Sequence, residues 1–453
     1  MDNTFEHRTG PADLAARTSY PAHEVPQWFT EAKLGFFIHL GIYSVPGWAY
    51  SRAPGCTTPP ELAYDYHEYA EWYANTVRIP GSPCATWHEE TFGVGTSYED
   101  LAFRFAPSPE NLANLVAALV AAGGRYIVPT TKHHDGFCLW DTATTPFSSV
   151  SRGGLDVISV VADATRAAGA RLGLYFSGAL DWHVSHFPPI RSDEDLFAFR
   201  RNDEAFARYA AGQLSELIDR FHPDLLWNDI DWPDAGKGPQ EWGLSAILTR
   251  YLAEHEATIN DRWGIPFHGY LTREYTQVDE PLPEMWESTR GLNRSFGYNR
   301  NDNPADRLSG AEAAWLLVDV ASHGGNLLLN VGPRADGSLD PYQARVVAEL
   351  GEWMGTYGRY IYASTPGPAP FSLLTAGVTA YFVREGDPAG PADAAAAAAA
   401  TSTETPASAS AARRAAGPAD LARAFWLAPD GSRIPASCPA PASSFPVALI
   451  VER

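Results

Sequence analysis

Hydrophobic positions in this chain follow two spacings in turn. From about Glu31 to Tyr362, short apolar runs that fit a strand precede longer stretches in which apolar residues recur every three to four positions, as on one face of a helix. One such stretch opens at Ser108-Pro109-Glu110: a cap, a proline at the first helical position and an acid in the first turn. It carries Leu112, Leu115, Val116, Leu119 and Val120 on one face and stops at Gly123-Gly124. A strand follows, expected to end in Pro129. The same alternation predicts helix 156–168 before strand 171–176, helix 203–220 before strand 224–227, and helix 242–254 before strand 257–260. Ser309 and Glu312 have the spacing of a capping box, heading a helix that ends at Gly324-Gly325 before the apolar run NLLLNVGP. Strand-helix units of this length, repeated, predict an α/β fold with a parallel sheet, a (β/α)8-like (TIM-type) barrel.

After about Thr365 the helical period disappears. Segments 378–383, 424–427 and 447–451 read as strands and predict a small C-terminal β-sandwich. The chain therefore divides into an N-terminal segment (1–30), a catalytic barrel (31–363) and a C-terminal domain (364–453). An insertion at about 386–418, rich in Ala, Pro, Ser and Thr, interrupts the last. Its apolar residues are too uniform to pack, and mobility is expected there.

Charge and composition narrow the function. A formal net charge of -21 argues against nucleic acid, whose phosphates demand a basic face. No run of about 18 apolar residues exists to cross a membrane. The first residues lack a basic patch followed by an apolar run, so a cytoplasmic protein is expected. Cys56, Cys84, Cys138 and Cys438 show no C-x-x-C spacing, which leaves neither a disulfide framework nor a thiolate zinc site indicated. Nothing in the sequence fixes an oligomeric state, and a homo-oligomer stays open.

The candidate chemistry sits where strands end. In FHPDLLWNDIDWP, the apolar Leu225-Leu226-Trp227 stops abruptly at Asn228-Asp229, as when a barrel strand delivers a carboxylate to the open end of its sheet. KHHDGF follows the run Tyr126-Ile127-Val128, and NDRWG follows Ala257-Thr258-Ile259; ten residues beyond the latter, Glu274 sits in TREY. Carboxylates, paired histidines, an arginine and tryptophans at the ends of separate strands point to a site that cleaves sugars. Asp231 rivals Asp229, and Glu71 and Glu287 rival Glu274. His133, His134 and Asp135 also raise a metal reading, though adjacent histidines on a strand point to opposite faces.

Together these motifs, from KLGFFIHLGIYSVPGWA to GGNLLLNVGP, resemble the α-L-fucosidases of glycoside hydrolase family 29. The resemblance implies a (β/α)8-like barrel with a C-terminal β-sandwich. It also implies retaining hydrolysis of α-L-fucosylated oligosaccharides or glycoconjugates through a covalent glycosyl-enzyme, with no metal and no cofactor. Retention needs two carboxyl groups about 5–5.5 Å apart. On the family pattern Asp229 is the nucleophile and Glu274 the acid/base. His39, His133, His134, Glu71, Trp72 and Arg262 match sugar-binding positions; Phe37, Tyr69, Trp227 and Phe296 match an apolar collar for the methyl group of a 6-deoxy sugar. Two departures stand out. Leu40 replaces the usual tryptophan after His39 and is expected to alter packing only. LYFSG replaces the frequent YYSG, and a hydroxyl near the nucleophile would be missing if Phe176 pointed inward. A non-catalytic fucose-binding protein and a metal-dependent barrel hydrolase are the alternative readings.

Overall fold

The computed structural model describes residues 19–53, 55–254, 256–276, 278–384, 424–436 and 440–452. The expected insertion at 386–418, Cys438 and most of segment 1–30 lie outside these. Eight parallel strands form one curled sheet: β1 (Leu34–Ile38), β2 (Tyr126–Lys132), β3 (Arg171–Ser177), β4 (Leu225–Asp229), β5 (Thr258–Ile259), β6 (Leu271–Glu274), β7 (Trp286–Gly291) and β8 (Asn326–Val331). Their order is β5-β4-β3-β2-β1-β8-β7-β6, so β5 and β6 are the sheet's two edges. No helix joins β5 to β6 or β6 to β7 among the described residues, and the barrel is open at that seam.

Helix α1 (Gln27–Ala32) precedes β1. The crossover helices are α2 (Pro109–Ala121), α3 (Val157–Ala167), α4 (Glu204–Phe221), α5 (Leu244–Glu254) and α6 (Gly310–Ser322), followed by α7 (Pro341–Ile361). They start where the sequence signals them. Ser108 accepts the Asn111 N–H at 3.0 Å, Asp156 that of Ser159 at 2.7 Å, and Ser309 with Glu312 forms the full capping box; caps of this kind contribute about 1 kcal/mol each. Chain reversal after α2 needs glycine at 123, where φ is +100° and a Cβ would meet the Tyr362 hydroxyl at 2.7 Å. One strand runs further than expected. β2 passes through Pro129, which pairs in register with Ile38 of β1, and continues to Lys132; its register against β3 shifts only beyond Thr130.

Two apolar layers hold the barrel. Outside, the helices bury one face each against the sheet, as α2 does with Leu112, Leu115, Val116 and Leu119. Inside, Phe37, Tyr126, Val128, Tyr175, Leu225 and Trp227 fill the bore, and α1 plugs its lower end with Phe29 packed on Tyr270 and Tyr126 (ring centroids 4.5 and 5.5 Å apart). Glu287 of β7 is sunk in this interior at 0% exposure. It accepts from the Tyr126 hydroxyl (2.6 Å) and the Trp227 indole N–H (3.0 Å). Burial pushes its pKa up to about 7, held back by those bonds. Leu40 is buried in the outer apolar layer.

The C-terminal strands β9 (Thr365–Pro366), β10 (Ser372–Thr375), β11 (Val378–Val383), β12 (Phe425–Leu427), β13 (Arg433–Pro435) and β14 (Val447–Glu452) form one antiparallel sheet, ordered β13-β12-β14-β11-β10-β9. The expected sandwich is realised, among the described residues, as this sheet layered on a helix. Tyr357 of α7 bonds the Leu427 carbonyl (2.7 Å) and Trp353 that of Pro446 (2.8 Å), and both rings lie about 6.0 Å from Phe382. No helix among the described residues is long and apolar enough to cross a membrane.

Glu287 gives the fold a measurable pH signature. Its folded pKa lies above the unfolded value of about 4.5, so its contribution is present at acid pH and is lost as pH rises from 4.5 to about 7. In urea melts, the unfolding free energy of wild type minus that of Glu287→Gln is expected to fall across this window by up to about 3 kcal/mol. A difference that stays flat with pH contradicts the assignment.

Candidate active site

All the strand-end motifs arrive at one end of the parallel sheet, the carboxyl end, where barrel chemistry is built. Asp229 is the last residue of β4 and is 9% exposed. Its Oδ2 accepts from the Tyr175 hydroxyl at 2.9 Å, and its Oδ1 from Arg262 Nη1 at 3.2 Å and from the Ile230 N–H at 3.0 Å. The two asparagines in the motifs hold the chain in place. Asn260 exchanges two bonds with the Asn228 backbone (3.1 and 2.9 Å), extending the β4–β5 ladder past the end of β5. Asn228 in turn bonds the carbonyls of Asp231 and Arg262, at 2.9 Å each. Asp231 turns away from the site into Arg200 (3.0 Å) and Lys237 (2.8 Å).

Arg262, from the loop after β5, is the hub. Its Nη1 meets Asp229, its Nη2 meets Glu274 Oε2 at 2.9 Å, and its Nε donates to Thr272 at 3.0 Å. Its guanidinium carbon stands 4.7 Å from the centre of the Trp227 ring. Burial works against its charge, but Glu274, Asp229 and Asp261 outweigh it and hold the pKa above the usual arginine value. Glu274 ends β6. Its pKa is raised by burial, lowered in part by Arg262, and raised again by the charge of Asp229. The two rival carboxyls are placed otherwise. Glu287 lies beneath Trp227 in the bore. Glu71 Oε2 accepts from Ser295 (3.1 Å) and the Gly297 N–H (2.7 Å), and burial raises its pKa to about 7.

The histidines line the wall opposite. Asn330 donates from its amide to the Phe296 carbonyl (2.8 Å), so its oxygen accepts from His39 Nδ1–H at 2.6 Å. Ser177 donates to the Leu180 carbonyl (2.9 Å) and accepts from His134 Nδ1–H at 2.7 Å. Both rings are thereby fixed as Nδ1–H tautomers, with Nε2 lone pairs ready to accept from hydroxyls. Burial lowers both pKa values to about 4. His134 Nε2 lies 3.6 Å from Asp229 Oδ2, too far for a hydrogen bond. His133, also lowered by burial, leaves a buried Nδ1 without a partner. The expected separation of His133 and His134 onto opposite faces does not occur: the strand ends at Lys132 and their rings sit 4.1 Å apart.

Asp135 accepts from Tyr98 (2.7 Å) and the Phe137 N–H (3.1 Å), so it does not join the two histidines. Among the described residues no trio of His, Cys, Asp or Glu is arranged to hold a metal ion.

The four collar residues make a continuous surface. Tyr69 touches Phe296 (5.9 Å between centroids), Phe296 touches His39 (5.1 Å), His39 touches Phe37 (5.1 Å) and Phe37 touches Trp227 (4.9 Å). Trp72 stacks on His67 at 4.9 Å and lies against His134 and Trp182. Tyr175, not Phe176, faces the bore; Phe176 packs outward beside the Lys132 ammonium (4.6 Å), so the hydroxyl beside Asp229 is retained. Tyr175, Asn330, Ser177 and Ser295 are functional neighbours that sequence reasoning missed. Only the strict alternation along LYFSG could have signalled the first.

The tautomers are open to direct test. In ¹⁵N-histidine NMR, His39 and His134 are expected neutral and Nδ1-protonated at pH 6, titrating only near pH 4; either ring titrating near 6.5 contradicts the geometry.

The family model described as Alpha-L-fucosidase matches residues 11–359. The human tissue α-L-fucosidase is 31% identical over 363 residues, covering 77% of this chain and 71% of its own. The α-fucosidase of Thermotoga maritima, solved in complex with fucose, is 40% identical with a TM-score of 0.72, over 82% of this chain and 84% of the other. With the barrel, the paired carboxylates and these matches in hand, the chain belongs to the α-L-fucosidase family, glycoside hydrolase family 29.

Proposed function

We propose that this glycosidase is a retaining exo-α-L-fucosidase working by double displacement. The observation that carries the reading is the single guanidinium spanning Asp229 and Glu274. Two carboxyls on neighbouring nitrogens of one planar fork fit a nucleophile and acid/base pair better than the water-wide spacing of inversion. Asp229, fixed by three donors, attacks the anomeric carbon of a bound fucoside. Glu274 gives its proton to the leaving oxygen. The ester then neutralises Asp229, removing one of the charges that raised the Glu274 pKa, and Glu274 can take a proton from the incoming water. The released product keeps its anomeric configuration.

The sugar hydroxyls donate to the Nε2 atoms of His39 and His134, and His133 supplies its unpartnered nitrogen. Glu71 and Trp72 bound the same pocket. Phe37, Tyr69, Trp227 and Phe296 take the C6 methyl group. A pocket of this kind rejects one added hydroxyl by only about 1–3 kcal/mol, so weak hydrolysis of an α-L-galactoside is expected, and equal rates on the two sugars would refute the collar. A fucose-binding protein without catalysis explains the histidines and the collar but leaves both carboxylates and their shared arginine without a task.

With 4-nitrophenyl α-L-fucoside, Asp229→Gly is expected to lose at least about 10³-fold in kcat. Glu274→Ala is expected to fail on poor leaving groups and to recover turnover with azide on good ones. A wild-type-like rate in either variant on a poor leaving group removes that residue from its role.

A further inference from the structure

One buried cation takes no part in the chemistry above. Lys132 ends β2 with none of its side chain exposed. Its ammonium donates to Asp181 Oδ2 at 3.2 Å and to Gln213 Oε1 at 3.0 Å. It also lies 4.6 Å from the centre of the Phe176 ring and 5.5 Å from that of Tyr209. Gln213 is oriented for this contact by its own donation to Thr144 at 2.9 Å. A fully buried ion pair adds little net stability, because desolvation offsets the attraction, so stability alone does not account for it.

Both members of the pair flank His134. Lys132 precedes it by two residues. Asp181 precedes Trp182, whose N–H donates to the His134 carbonyl at 2.7 Å and whose ring lies 5.5 Å from the imidazole. On its other side His134 confronts Asp229. With Nδ1–H committed to Ser177, the Nε2 lone pair faces Asp229 Oδ2 at 3.6 Å, acceptor against acceptor. A proton on Nε2 would turn this contact into an ion pair, weakening Asp229 as a nucleophile and removing an acceptor from the sugar. Burial is the larger force against that proton; the Asp229 charge attracts it, and the Lys132 charge repels it. His39, His133 and His67 are the other titratable groups that feel the charge of this ring. Arg262 meets Asp229 at its other oxygen, and Cys138 also faces the Lys132 ammonium.

We propose that Lys132 is a positioning residue for the nucleophile: its ammonium keeps His134 uncharged beside Asp229, so that the imidazole takes a sugar hydroxyl instead of closing onto the carboxylate. The proposal rests on the retaining reading above, with Asp229 as the attacking group. Asp181 seats the ammonium and fastens Trp182, so breaking the pair from its two ends has opposite electrostatic consequences. Lys132→Met removes the cation that repels a proton from His134. Asp181→Asn, nearly the shape of the aspartate, leaves the cation and removes its counter-charge.

The test follows kcat/KM for α-L-fucosyl fluoride, whose leaving group needs little acid help, across acid and neutral pH, beside ¹⁵N-histidine NMR of the same proteins. Lys132→Met is expected to raise both the acid limb of the profile and the His134 titration by at least about one pH unit, the effect of losing a neighbouring like charge. Asp181→Asn is expected to leave both at or below their wild-type positions. Should Lys132→Met fail to fold, with Asp181 left unpaired in the interior, the double variant Lys132→Met/Asp181→Asn is expected to show the same upward shift. Limbs that coincide in all variants overturn the proposal, as does the same displacement in Lys132→Met and Asp181→Asn, which a purely structural role would give. A His134 titration that moves without the limb also overturns it; in each of these cases the retaining reading stands. An Asp229→Gly enzyme as fast as wild type removes that reading, and this proposal with it.

Discussion

One arginine placed between two buried carboxylates organises this molecule. The sheet is unpaired between β5 and β6, where helix-free connections leave the barrel open. Side chains stitch that seam. Asp261 accepts from both the Thr272 N–H (3.1 Å) and its hydroxyl (2.7 Å), in place of a ladder bond. Arg262 then ties β4 to β6 through Asp229, Thr272 and Glu274. Two carboxylates this close and this buried cannot both remain charged at low cost, and one cation compensates only one of them. The electrostatics therefore separate the pair: Asp229 takes the fixed donors, and Glu274 is pushed toward its protonated form. The asymmetry that the proposed acid and nucleophile require arises from charge count and burial.

Backbone strain is placed where it aims these groups. Ile230 and Asp231 follow Asp229 with φ of +54° and +72°, and Tyr275 follows Glu274 at +52°. Left-handed non-glycine residues cost on the order of 1–3 kcal/mol each and persist only when their surroundings fix them. The Asp231 side chain does the fixing after Asp229: it accepts from Arg200, Lys237 and the Trp232 N–H. A Cβ at Gly264 would come within 1.7 Å of Asp231 Oδ1, at φ +63°. The glycine closing NDRWG is thus required by the turn that presents Asp229, two loops away in sequence. Behind the histidines, the fully buried Lys132–Asp181 pair (3.2 Å) anchors the loop that carries Trp182 to its contact with Trp72.

Local signals made part of this legible in the chain. Caps at Ser108 and Ser309 placed their helices within a residue or two, because a cap is a contact between near neighbours. Asp229 was visible because an apolar run stops at it. By contrast β6, LTRE, and β7, WESTRG, carry little apolar pattern and no helix precedes either after β5, so nothing local marked them as strands. The tautomers of the histidines depend on Asn330 and Ser177, and the setting of Glu71 on Gly297, partners up to 291 residues away. Contacts of that range are products of the curled sheet as a whole and leave no periodic trace. Pro129 misled for a related reason: a proline ends a strand on local grounds, whereas its place inside β2 comes from the pairing with Ile38 of β1, distant in sequence.

The most direct measurement of the central claim is covalent trapping. Incubation with 2-deoxy-2-fluoro-α-L-fucosyl fluoride, followed by intact-mass analysis and peptide mapping, asks which carboxylate becomes esterified. The account predicts one added fluorofucosyl group per chain, on the peptide bearing Asp229, abolished in Asp229→Gly and retained in Glu274→Gln. A label on Glu274, or turnover of the reagent with no ester formed on either residue, would contradict it.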